Sequence, residues 1–175
     1  MVTGSDPIRA RLLLDYPALG ALFGQGQSPR LLEPHPIRSE LELCALAAQS
    51  AASRRGAPPI AFTAVAGAKL DELSRLLEGT EPAVELSGAP MAILVLVGKG
   101  KRGSEGTEAA LESFLLALAA LGYGWRLGPT PVGEAIRSFA GVLPELDLYR
   151  LIETGTPDGF AAPAVPDADP ALTML

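Results

Sequence analysis

The chain has 175 residues, 48% of them hydrophobic and 19% charged, a balance that suits one globular domain with its own core and excludes a disordered polymer. The formal net charge of −6 argues against broad contact with nucleic acid, whose phosphates demand a basic face. A single cysteine, Cys44, rules out an intrachain disulfide framework and points to a reducing compartment.

In chain order, Pro7 to Phe23 carries Ile8, Leu12, Leu13, Tyr16, Leu19 and Phe23 at helical spacing. Asp6 is placed to cap this helix, and Pro17 to kink it. Gly24 to Pro29 is a loop by composition. Pro34 and Pro36 open a second helix running to about Ser53, with Ile37, Leu41, Cys44, Ala48 and Ala51 as its buried stripe. After a turn-rich break at Arg54–Pro59, Ile60–Val65 reads as a buried strand.

Ala68–Leu77 is an amphipathic helix stopped at Gly79, and Glu81–Pro90 is a loop. Met91–Val97 is apolar at every position, as expected of a strand covered on both faces. Glu108–Leu121 is apolar on nearly all sides and so is expected to be buried all round, centrally or at a subunit interface. A short apolar segment at Trp125–Leu127, a Gly-Pro-Thr-Pro loop, a brief helix at Val132–Phe139 and a strand at Leu146–Ile152 follow. The tail after Gly155, rich in proline, alanine and aspartate, is expected to lie extended on a surface, a partner subunit's among the candidates. Helices packed on a central sheet are the implied architecture.

No secretory signal is visible at the N-terminus, and the longest apolar stretches fall far short of the roughly 20 residues that span a bilayer. A cytoplasmic protein without membrane contact is expected. The lone histidine, His35, the cysteine and the scattered acids show no metal-ligand spacing, so no metal site is expected.

Several local patterns fall in an order that resembles the nitroreductase family. Its motif Ala-Pro-Ser-x-x-Asn-x-Gln-Pro-Trp-x-Phe is similar to the stretch from Ala51, where Ser53, Pro59 and Phe62 fall on the serine, second proline and phenylalanine without a gap. Gln27-Ser28-Pro29-Arg30 resembles the earlier Arg-x-Ser-x-Arg-like segment, matching at Ser28 and Arg30. Gly88–Ala92, the helix ending in Leu121-Gly122-Tyr123-Gly124, and Leu148–Pro157, similar to a strand ending in Gly-x-Pro, resemble later family features. The likeness covers roughly residues 6–157.

The resemblance implies an α+β fold, a three-layer α/β/α sandwich with a central, mostly antiparallel sheet, working as a homodimer or a heterodimer with a related subunit. Residues 1–157 would form the domain and 158–175 the tail. It also implies an FMN-dependent oxidoreductase moving two electrons between a nicotinamide donor, NAD(P)H, and an organic small-molecule substrate. The flavin does the chemistry, so no catalytic acid–base residue is expected. Ser28 and Arg30 would hold the phosphate. The Ser53–Pro59 turn, with Arg54, Arg55 and Gly56, would form the ring wall, and Gly128 and Pro129 would approach the other ring face. The expectation is that these segments converge on one cleft.

This chain departs from the pattern at telling places. The leading phosphate arginine is replaced, Gly56 stands for the family's asparagine, and nothing after Arg150 is basic, with Asp158, Asp167 and Asp169 there instead. Each lost charged hydrogen bond weakens binding by roughly 1.5–3 kcal/mol. These losses keep a second reading open: a non-catalytic subunit of the same fold that serves as a binding or partner protein. Cys44 is expected to be a buried, inert thiol, Trp125 to be core, and the Gly98–Gly106 loop to be solvated.

Overall fold

The computed structural model describes residues 30–54, 58–81, 83–99 and 105–158. The expected first helix, Ser28, Arg55, Gly56 and the tail beyond Asp158 lie outside these residues.

Five strands, β1 (Leu31–Leu32), β2 (Ile60–Ala66), β3 (Met91–Gly98), β4 (Gly124–Gly128) and β5 (Leu146–Pro157), form one sheet. Its backbone runs β2-β3-β5, with β1 and β4 both paired to β5, and every pairing is antiparallel. Four helices pack on it: α1 (Arg38–Arg54), α2 (Ala68–Glu78), α3 (Glu105–Ala120) and α4 (Glu134–Phe139).

Residue parity along β3 explains the layering. Met91, Ile93, Val95 and Val97 point into a core shared with Cys44, Ala48 and Ala52 of α1 and Phe114 and Leu118 of α3. Ala92, Leu94 and Leu96 point into a second core with Leu73 and Leu77 of α2 and Ile136 of α4. A strand clad on both faces has no polar side to show, hence its unbroken apolar run. The three-layer α+β sandwich read from the sequence is therefore present. Among the described residues no helix is long and apolar enough to cross a membrane.

A bulge between Val95 and Leu96 shifts the β3–β5 register, from Val95 opposite Arg150 to Leu96 opposite Leu148. The extra residue switches the alternation of β5, so that Leu148 and Leu151 both face the α2/α4 core while Tyr149 and Ile152 face the other.

Two expectations are corrected. Ile37 is not in the buried stripe: it is 60% exposed and caps α1, its N–H bound by Glu40 Oε2 at 2.9 Å while its carbonyl receives the Glu40 and Leu41 amides. Leu116 on α3 and Leu121 just beyond it are exposed on the single chain, because the sheet and α1 cover one side of the helix; of the two expected ways to bury the helix, the central one does not apply to that side. The last strand does not stop with its apolar run at Ile152 but goes on to Pro157, the end implied by the likeness to a strand closing in Gly-x-Pro, and the two-residue β1 that pairs with its end was not anticipated.

The end of β5 accommodates β1 through two glycines opposite each other, Gly124 and Gly155. A Cβ on Gly155 would stand 2.7 Å from the Leu32 carbonyl oxygen and 2.8 Å from the Pro90 ring, and one on Gly124 would stand 2.9 Å from Leu31 Cδ2. The close approach of backbone, rather than any left-handed conformation, requires glycine there.

Candidate functional site

The chain enters the described fold at Arg30. Its carbonyl accepts the Asp158 amide at 3.0 Å, and its guanidinium lies 3.7 Å from the Asp158 carboxylate, with both side chains largely exposed. An exposed pair at that distance contributes little and is readily exchanged for a stronger anion. Ser53 and Arg54 close α1. Ser53 Oγ donates to the Gln49 carbonyl at 2.8 Å, and exposed Arg54 sits where the helix dipole is negative.

These two groups stand at opposite ends of the fold. A helix of 17 residues separates them, roughly 25 Å at the α-helical rise. The register agrees: Leu31 lies opposite Pro157, whereas Ile60 leads through Val97 to Asp147 at the other end of β5. Within one chain, Arg30 is therefore not brought together with Ser53 and Arg54 at the start of the Ser53–Pro59 turn.

Gly128 and Pro129 lie between the two ends. Gly128 faces Leu151 across the β4–β5 ladder, and a Cβ there would come 3.1 Å from Leu151 Cδ2, so its bareness lets β4 pack on the sheet. Beyond Pro129, the Thr130 hydroxyl donates to the Tyr149 carbonyl at 2.7 Å and clips the loop onto β5.

Two polar networks were not legible as such. Glu153 is 1% exposed on β5, opposite Arg126 of β4. Its Oε1 accepts from Arg126 Nε at 3.1 Å and Nη2 at 2.9 Å, while Oε2 accepts from the Ser87 amide at 2.6 Å and from the Ser87 hydroxyl. The only sequence signal is an acid inside an apolar strand. In the second network, buried Tyr149 donates to Glu108 in the first turn of α3.

Burial above all, then the hydrogen bond to Glu108 and its charge, pushes the Tyr149 phenol up to about 12, against about 10 for a free tyrosine. Tyr123, which donates to Glu40 at 2.9 Å, is raised in the same direction, first by burial and then by Glu40. A phenol kept neutral by the fold gives stability that is whole below about pH 10 and disappears as pH climbs, through about 12 for Tyr149. A spectrophotometric titration is expected to find a late-ionising tyrosine that Tyr149→Phe removes. A titration unchanged by that substitution would contradict the assignment.

Cys44 is fully buried in the α1/α3 core, and burial and then the Glu40 charge push its thiol up to about 11, which leaves little thiolate at neutral pH. Trp125 packs against the same core, its indole N–H without a partner. His35 bonds the Pro36 carbonyl beside it. Among the described residues, no group of three or more His, Cys, Asp or Glu is placed to hold a metal ion.

This arrangement of sheet, flanking helices and strand order matches known structures along most of its length. An FMN-dependent nitroreductase from Clostridium difficile R20291 superposes with a TM-score of 0.61 over 80% of this chain and 87% of that one, at 22% identity. The chain has the nitroreductase fold. A nitroreductase family protein from Clostridium novyi NT gives a TM-score of 0.60 at 19% identity, over 79% of this chain and 85% of that one. An iodotyrosine deiodinase solved with FMN and 3-iodo-L-tyrosine gives 0.63 at 20% identity, over 90% and 97%. No protein-family model matches the sequence, and no curated protein matches it either. The likeness to the nitroreductase fold thus lies in backbone architecture, with the sequence far diverged.

Proposed function

We propose that the protein is an FMN-dependent oxidoreductase working as a homodimer. Each flavin lies between the Arg30 end of one protomer and the Ser53–Arg54 end of its partner. The observation that carries this reading is the nitroreductase fold combined with the roughly 25 Å that α1 puts between the two candidate segments. A site needing both segments has to draw them from two copies. Leu43 and Leu46 on α1 and Leu116 on α3, all exposed, offer the apolar surface that a second copy would cover.

The phosphate end fits an anion. Arg30 is exposed and stands 3.7 Å from the Asp158 carboxylate, and a bound dianion would compete with that carboxylate for it. Ser28 and, at the ring end, Arg55 and Gly56 complete the proposed set, with Gly128 and Pro129 along the β4 edge. When bound, the flavin supplies two-electron transfer between NAD(P)H and an organic acceptor, and the chain's task is to bind and orient it. Asp158 beside Arg30, and the lack of any basic residue after Arg150, favour the second reading, a partner subunit without bound flavin.

One preparation distinguishes them. Purified protein is expected to be yellow, or to take up added FMN, and to run as a dimer by size exclusion with light scattering. Arg30→Met is expected to weaken FMN binding about tenfold or more, the loss of one charged hydrogen bond. A colourless monomer that ignores added FMN would overturn the oxidoreductase reading.

A further inference from the structure

On the α2/α4 side of the sheet, an open cleft of about 470 Å³ lies between α4 and the start of β5, lined by Lys99, Glu134, Arg137, Ser138, Gly141 and Asp147, among others. The geometry points to a second binding site here, for a small oxyanion, phosphate or carboxylate, separate from the flavin reading and sharing no residue with it.

The argument rests on which polar groups in the cleft have spare capacity. Arg137 is one-quarter exposed and is fixed in place by a 3.0 Å hydrogen bond from Nη2 to the Leu146 carbonyl. Its other contacts are loose: Nη1 stands 3.6 Å from Asp147, and Nε 3.8 Å from Glu134. Both distances exceed the 2.7–2.9 Å typical of a charge-assisted hydrogen bond. A preorganised guanidinium thus keeps donors for a further acceptor. Lys99 is held through its amide, bound to the Glu145 carbonyl at 2.9 Å, and among the described residues its ammonium makes no ion pair.

The acidic groups have less to offer a cation. Glu134 is 90% exposed, and Asp147 makes a further interaction besides its loose approach to Arg137. The unmet demand in the cleft is therefore for an acceptor. An oxyanion between Lys99 and Arg137, with the Ser138 hydroxyl on the same wall, would answer it.

Calorimetric titration of the full chain at low ionic strength, with inorganic phosphate in one arm and acetate in the other, tests this. Saturable binding of at least one anion is expected, and the stronger arm identifies the group preferred. Amide NMR shifts should centre on Lys99, Arg137 and Asp147. Lys99→Met, an exposed position, is expected to weaken binding about tenfold. Glu134→Gln, which removes a nearby carboxylate, should tighten it severalfold. The anion-dependent shifts at Lys99, Arg137 and Asp147 should persist in the presence of saturating FMN, which separates this cleft from the proposed flavin phosphate end. Absence of saturable binding to either anion, or wild-type affinity in Lys99→Met, would overturn the site.

Discussion

Arg126→Met is expected to destabilise the fold by about 3 kcal/mol, read as a lower denaturant midpoint at unchanged slope. Glu153 is almost completely buried, and Arg126 supplies two of its four hydrogen bonds and all of its countercharge. Breaking a buried pair from one side typically costs about 3–5 kcal/mol, because the remaining charge is left uncompensated. The lower end applies because Arg126 is one-third exposed and Ser87 stays bonded to the carboxylate. The double substitution Arg126→Met with Glu153→Leu should recover most of the loss, since a well-packed apolar pair often replaces a buried ion pair without penalty. If the double variant were as unstable as the single one, the cost would lie in packing rather than in charge.

Phe114→Ala should have an effect of similar or greater size, about 3–5 kcal/mol. Phe114 has no exposed surface and stacks on Phe62 at 4.1 Å between centroids, with the rings 17° apart. The pair ties α3 to the edge strand β2 and borders an apolar hollow of about 210 Å³ beneath α1. Truncation would merge the vacated ring volume with that hollow, so the site cannot collapse, and the lost ring pairing adds about 0.5–1.5 kcal/mol. Phe114→Leu keeps most of the volume and should cost distinctly less. Equal losses in the two variants would argue against a cavity term.

The core of the fold was legible because its signals are long and redundant. The periodicity of Ala68–Leu77 and the apolar run Met91–Val97 locate α2 and β3 to within a residue. Signals failed where tertiary contacts override local character. Glu153-Thr154-Gly155-Thr156-Pro157 lacks the apolar run that marks the rest of β5, yet it forms the end of that strand, because Arg126 and Ser87 satisfy the acid and the Gly124 carbonyl satisfies Thr154. Two-residue β1 is too short to carry any period. Ile37 had the right spacing for the core but falls one position before α1, where the chain has not yet turned helical.

The sequence offered the candidate site as a set of segments and carried no signal for how they lie in space. Arg30 and Arg54 were expected to meet. The length of the helix between them, itself readable from Pro36 to Ser53, already forbids that in one copy. Arg126 and Glu153 were out of reach for a different reason: they are 27 residues apart, and only strand pairing brings them together. The cleft at Lys99 and Arg137 is likewise assembled from distant stretches, which no local motif announces.

Asp158 bonding to Arg30, and Leu31 lying opposite Pro157, set residues 30 and 158 side by side at one end of the sheet. Tension applied at residues 30 and 158 would peel β1 from β5 one rung at a time, in the weak unzipping direction. The three-layer core would stay unloaded until that short seam had opened. The interlock of Leu31 and Leu32 over paired glycines is consequently the fold's mechanical latch.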